Sequence, residues 1–398
     1  KWGDKIVSFL NKQKITKAIL SSQLSEKNCT LAYAEGMALG AYHFLKYKTN
    51  TDDVFPFSEL LINDEKVSEM DAINLNNLVE ACYLTRDLVN EPANELTALD
   101  LAERISQMSK KVGATVTIFK REAIVQMGMN GILNVNRGSK DGPAFIQIEW
   151  RPSNATNKSP YVLVGKGLVF DTGGINLKPG NSIDGMKSDM AGGAAVFGVI
   201  HAMAKNKVPL HVIGLIPATD NRPGENAMVP GDIIKMTGGK TVEVINTDAE
   251  GRIILADALY YAQKFHPKLV IDIATLTGSA AMAIGKYGIV GMQHGAAGEI
   301  GQLIESGYNV YERVVEFPFW DEYDKEIESD IADIRNLGKS KGAGAITAGK
   351  FLYNFTDYPW IHLDIAGMAF MDAKEAYLGK GGTAIGVRLL YNFLTNNS

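Results

Sequence analysis

The octapeptide INTDAEGR, residues 245 to 252, sets Asp248, Glu250 and Arg252 at intervals of two. In extended chain, side chains two apart point the same way, so the spacing predicts two carboxylates and a guanidinium on one face at the end of a strand. Two further carboxylates, Asp171 and Asp189, and two lysines, Lys166 and Lys178, lie in the glycine-rich stretches VGKGLVFDTGGINLKPG and MKSDMAGG. Glycine there lets backbone approach a ligand closely. Four carboxylates gathered in one place repel one another unless cations hold them. An oxygen-rich set suits hard or borderline divalent ions, and carboxylates that bridge two ions are a natural way to pack them. Taken singly, each has an ordinary reading: Asp189 caps the helix that follows, and Asp248 and Glu250 pair with Arg252 in a turn. For all four together that account needs several coincidences.

Other chemistries are poorly signalled. The six histidines form no HExxH or other ligand spacing, and His362, in WIHLDIAG, reads as a core-strand residue. The one G-x-S-x-G match, GKSKG at 338–342, follows no predicted strand and so does not signal a nucleophilic serine. The Gly-Lys-Gly at 165–167 does not fit a phosphate loop, because G-x-x-x-x-G-K-[ST] is absent. Lys178 stands in a turn before Pro-Gly, either as a solvated lysine or as a cation aimed at developing negative charge.

The elements that must carry these residues alternate. Strands are predicted over 115–119, 144–150, 161–170, 210–217, 241–246, 269–275 and 360–365, and helices over 97–111, 190–205, 252–265, 299–313, 346–356 and 383–394. Such alternation predicts an α/β domain, a mixed, largely parallel sheet flanked by helices, with its chemistry at the carboxyl ends of the strands. The first seventy residues read as a helical start, an Ala/Gly-rich helix from Leu31 to Leu45 and a polar stretch, KYKTNTDD, within a smaller α/β region. The spacing of Leu75, Leu78, Val79 and Cys82 predicts a connecting helix over 71–90, stopped by Glu91-Pro92. The expected division is therefore 1–70, 71–90 and a catalytic domain over 91–398.

Composition narrows the function class. With 398 residues, 46% hydrophobic, the chain can bury one large core and a smaller one. A net charge of −5 offers no general attraction to nucleic acid or anionic lipid. Two cysteines, Cys29 and Cys82, argue against a disulfide framework or a thiolate zinc site. The longest apolar run, Met190 to Ala204, is glycine-rich and too short to span a bilayer. The amino-terminal KWGDKIVSFLNKQK has too short an apolar core for a signal peptide, and without an initiator Met it reads as trimmed. A soluble, cytoplasmic protein is expected.

Together, VGKGLVFDTGGINLKPG, MKSDMAGGAA and NTDAEGRIILADAL closely resemble the leucyl (cytosol) aminopeptidase family, the two-metal peptidases. DLVNEPANELT, NRGS, ATLTGSA, GAGAITAGKFL and WIHLDIAG extend the likeness from about Asp71 to the C-terminus. The resemblance implies that Asp171 and Glu250 bridge two divalent ions (Mn²⁺ or Zn²⁺, or else Co²⁺ or Mg²⁺), with Lys166 and Asp189 completing one site and Asp248 the other. It implies that Lys178 polarises the scissile carbonyl, and that Arg252 holds a bicarbonate acting as general base toward a water or hydroxide bridging the ions. It places Met186, Thr275, Gly278, Ala366 and Ala369 around a leucine-like side chain. Peptides with a free N-terminus are the implied substrates, and a homohexamer the implied assembly. The region before Asp71 is shorter than the family's usual N-terminal domain, so the chain reads as trimmed or as a short variant. The rival expectation is a DNA-binding or scaffold protein on the same fold.

Overall fold

The computed structural model describes residues 1–23, 25–51 and 57–396. At its centre, apolar runs such as YVLVG and LVIDIA are buried on both faces, as parallel strands covered by helices on either side require. The nine-stranded sheet runs in space from Val314–Glu316 through Ile289–His294, Trp360–Asp364, Leu269–Ala274, Tyr161–Gly165, Val212–Asn221 and Ala144–Trp150 to Thr115–Lys120, with Gly167–Asp171 branching onto Val212–Asn221. The four central strands are mutually parallel. Antiparallel pairs appear toward both edges. This is the mixed, largely parallel sheet expected.

The predicted helices form with their ends shifted by a few residues. Helix Glu69–Asn90 begins at a reciprocal Ser68–Asp71 cap and stops at Glu91, and Ala98–Lys111 begins at the same kind of cap between Thr97 and Asp100. Helix Ala191–Lys205 is buried along its whole length except at Lys205. Its first turn lies so close to the sheet that a Cβ on Gly192 would sit 2.0 Å from the Ile273 carbonyl oxygen. Each large aliphatic side chain buried here contributes about 1.5–3 kcal/mol.

Several expectations change. The strand predicted over 161–170 is two, because the chain leaves the Leu269–Ala274 strand at Lys166 and continues only against Val212–Asn221. The strand predicted over 241–246 covers only Thr241–Glu243 and belongs to a separate three-stranded sheet with Ile233–Lys235 and Ile334–Arg335. Strands Ile289–His294 and Val314–Glu316, and the short helix Gly278–Ile284, were not expected. In the first seventy residues, helices Trp2–Lys12 and Lys27–Gly40 pack with a parallel strand pair, Lys17–Ser21 and Glu59–Asn63. Part of the polar KYKTNTDD stretch, Asp52 and Asp53, lies outside the described residues. Buried Arg388 joins this region to the rest through Glu35 at 2.8 Å and Glu312 at 3.1 Å. Buried Arg86 does so through the carbonyls of Leu39, Tyr377 and Thr383.

One buried carboxyl gives the fold a testable pH dependence. Asp257 accepts hydrogen bonds from Ile132 N at 2.8 Å and Thr237 Oγ1 at 2.7 Å, yet burial pushes its pKa up to about 7. An unfolded aspartate titrates near ~3.9. The folded state thus holds the proton more tightly, and stability falls as pH rises from about 4 to about 7. Asp257→Asn removes that titration, so the melting temperature of the variant relative to the parent is expected to rise between pH 5 and pH 8. Parallel pH profiles for both proteins would show that Asp257 is not the group responsible.

Candidate metal centre

The carboxyl ends of the parallel strands converge on one place. Asp171 ends strand Gly167–Asp171, Asn221 ends Val212–Asn221, Thr275 follows Leu269–Ala274, and Lys166 follows Tyr161–Gly165. Lys166 sits where the sheet divides, its backbone N–H donating to Ile273 O and its carbonyl accepting from Gly193 N. Helix Gly251–Ala262 approaches it closely enough that a Cβ on Gly251 would lie 2.5 Å from Lys166 Cε.

Segment 245–252 is not extended. Asn246 turns the chain by accepting Asp248 N on its side chain at 2.8 Å. Glu250 has helical backbone angles and leads directly into helix Gly251–Ala262, whose first turn holds Arg252. Asp248 and Glu250 nevertheless meet, through a turn rather than a shared strand face. With Asp171 they bring carboxylate oxygens within 4.8 Å of one another. The loop is laced to the glycine-rich segment by Asn176 and Thr247. Thr247 N donates to Asn176 Oδ1 and Asn176 N to Thr247 Oγ1, each at 2.8 Å.

Lysines are the cations these carboxylates find. Lys166 Nζ is 2.7 Å from Asp189 Oδ2 and 3.1 Å from Glu250 Oε1, and it donates to Thr275 O at 3.2 Å. Lys178 Nζ is 2.7 Å from Asp171 Oδ2 and 2.5 Å from Asp248 Oδ1. Burial lowers the Lys166 pKa, but Asp189, Glu250 and Asp171 outweigh it and hold the group above the ordinary lysine value. Asp189, Asp248 and Glu250 are all raised, by burial first and then by the neighbouring carboxylates. Four carboxylates against two ammonium groups leave the cluster short of positive charge. Buried oxygen donors in this state fit divalent ions, which would supply the missing charge.

The ordinary readings of single residues do not hold. No side chain caps helix Ala191–Lys205; Asp189 instead accepts from Thr275 Oγ1 at 2.6 Å. Arg252 makes no ion pair with Asp248 or Glu250 among the described residues. Its Nη1 donates to the Asn336 carbonyl at 2.7 Å, and its Nε is buried without a hydrogen-bond partner. Burial lowers its pKa to about 10, against the pull of Glu250 and Asp364.

Of the residues expected around a substrate side chain, Thr275 touches the cluster through Asp189. Asp364 joins the segments that carry Thr275, Gly278 and Ala366, accepting from Leu276 N, Thr277 Oγ1 and Ala366 N. Met186 opens the turn that precedes Asp189, and Ala369 is buried. His362 is a core-strand residue as expected, with Nδ1 2.5 Å from Asp272 Oδ1. Sequence reasoning missed Asn221, whose Nδ2 donates to Asp171 Oδ1 at 2.9 Å and reaches Glu250 Oε2 at 3.4 Å. The polar run Thr219-Asp220-Asn221 closing an otherwise apolar central strand was the available signal.

The chain is similar to known proteins over most of its length. A model of the "Cytosol aminopeptidase family, catalytic domain" matches residues 83–391. A "Probable cytosol aminopeptidase" of Geobacter sulfurreducens is 45% identical over 91% of this chain and 73% of its own length. One from Chlorobaculum tepidum is also 45% identical, over 90% of this chain and 74% of its own. Among solved structures, the bottromycin maturation enzyme BotP in complex with Mn superposes with a TM-score of 0.91 at 29% identity, covering 99% of this chain and 86% of that one. Among the described residues no helix is long and apolar enough to cross a membrane.

Proposed function

Because the chain belongs to the cytosol aminopeptidase family, and is accordingly a metal-dependent aminopeptidase, we propose that it removes leucine-like apolar residues from peptides with a free N-terminus. The observation that carries the reading is the meeting of Asp171, Asp248 and Glu250 within 4.8 Å, with Asp189, buried Lys166 and half-buried Lys178 against them. Two divalent ions, Mn²⁺ or Zn²⁺, would be held by Asp171, Asp189, Asp248, Glu250 and Lys166, the lysine binding only as the neutral amine, which two adjacent dications would favour. When bound they supply Lewis acidity and an activated water.

The chain's own residues do the rest. With Asp171 and Asp248 committed to such ions, Lys178 would be free of its two ion pairs and its ammonium would polarise the scissile carbonyl. Arg252 holds bicarbonate as general base; its unpartnered Nε–H supports an anion there better than a neutral group. Met186, Thr275, Gly278, Ala366 and Ala369 line the pocket for the first side chain, small or apolar enough for leucine. We take residues 1–70 as an N-terminal region, 71–90 as a connecting helix and 91–398 as the catalytic domain, in a cytoplasmic homohexamer. No observation favours the rival DNA-binding or scaffold role.

A substrate's free amine would be a ligand to the ion held at Asp248, which an acylated nitrogen cannot be. Leucine p-nitroanilide is therefore expected to be cleaved and its N-acetyl derivative to be inert, with hydrolysis followed by absorbance. Comparable rates for both would make the protein an amidase or endopeptidase.

A further inference from the structure

The Asn336 side chain is fully buried and commits all its hydrogen-bonding groups to one loop. Its Oδ1 accepts from Ile245 N at 2.7 Å and Asn246 N at 3.3 Å. Its Nδ2 donates to Asn246 O at 2.7 Å and, more weakly, to Ala249 O at 3.4 Å. The backbone takes part as well: Asn336 N donates to Glu243 O at 2.9 Å, and Asn336 O accepts from Arg252 Nη1 at 2.7 Å. A residue more than eighty positions away in sequence thus grips both ends and the middle of the segment that carries Asp248, Glu250 and Arg252.

That segment needs such a grip. Between strand Thr241–Glu243 and helix Gly251–Ala262 it has neither a sheet ladder nor helical bonds to fix it, and three carboxylates repel one another at its tip. Only a primary amide supplies an acceptor with two lone pairs and two donors on one planar group. Aspartate keeps the shape and the acceptors but loses both donors, and sets a charge against the Asn246 and Ala249 carbonyls.

We propose that Asn336 is a positioning residue for the metal centre: its amide sets the 245–250 loop so that Asp248 and Glu250 meet Asp171, and its carbonyl orients Arg252. This rests on reading the carboxylate cluster as a divalent-metal site. Residues that orient ligands in this way typically change metal affinity about 10–100-fold when replaced.

The test is a calorimetric titration of Mn²⁺ into the metal-stripped full chain, for the parent, Asn336→Ala and Asn336→Asp. It is run well below each melting midpoint, with circular dichroism of each apo protein. Both variants are expected to keep the parent's apo spectrum and to bind Mn²⁺ about 10–100-fold more weakly. A purely space-filling role predicts that Asn336→Asp, nearly isosteric, binds as the parent does, and that result overturns the proposal, as does parental affinity in Asn336→Ala. If both variants are unfolded before metal is added, Asn336 is a general determinant of the fold and local positioning is likewise overturned. A parent that takes up no Mn²⁺ removes the metal reading itself and this proposal with it, whereas a parent that binds alongside equally tight variants removes this proposal alone.

Discussion

Cleavage of leucine p-nitroanilide is expected to collapse, by more than about 10³-fold, when the protein is stripped of divalent ions or when Glu250 is replaced by alanine. That exceeds the ~10²–10³ typical of losing one oxyanion donor, because the activated water and the Lewis acid vanish together. The two losses differ in how they respond to repair. Stripped parent regains activity with Mn²⁺, Zn²⁺ or Co²⁺, since its donors are intact. Glu250→Ala does not, having lost one of the three oxygens that lie within 4.8 Å of one another and one of the two carboxylates paired with Lys166. Its metal content after dialysis against Mn²⁺ should fall as well. Full activity in excess chelator, with metal analysis showing none retained, ends the metal-dependent account.

How much of this centre could be read from sequence follows from how local each cause is. Lys166, Asp171, Lys178 and Asp189 stand in glycine-rich sequence in and after the strand predicted over 161–170 and before the helix predicted over 190–205, and the fold does bring them together. Asp248 and Glu250 do meet, though not on the shared strand face that their spacing suggests. Spacing by two implies a shared face only in extended chain, whereas the Asn246 side chain makes a turn and Glu250 starts a helix. The long strand predicted over 161–170 breaks at Lys166 because its neighbour changes there, which a hydrophobic pattern does not record. Strand Ile289–His294 was missed for a similar reason: its antiparallel partner, Trp360–Asp364, lies far along the chain, and IVGMQH is short with a glycine inside. Asn221 and Asn336 escaped because a buried amide acts through partners that only the fold supplies.

Lys178 and Arg252, both cations of the candidate site, are expected to fail in different ways when replaced by alanine. Lys178 is held by Asp171 and Asp248 and is the group proposed to meet the carbonyl oxygen directly. Its loss is expected to reduce turnover about 10²–10³-fold, and added anions cannot restore a missing cation. Arg252 makes no such ion pair; it is anchored to the Asn336 carbonyl with Nε–H unpartnered, which suits a small anion. Removing it takes away the general base, worth about 10²–10⁴-fold, and leaves residual activity. Bicarbonate added to carbonate-depleted protein then separates the two. The parent and Lys178→Ala are expected to be stimulated by similar factors, because both retain the anion site, while Arg252→Ala stays nearly flat. Stimulation of Arg252→Ala as strong as that of the parent means that the arginine does not hold the base, and its electrostatic pull on Glu250 and Asp364 becomes the better account of why a guanidinium is buried there.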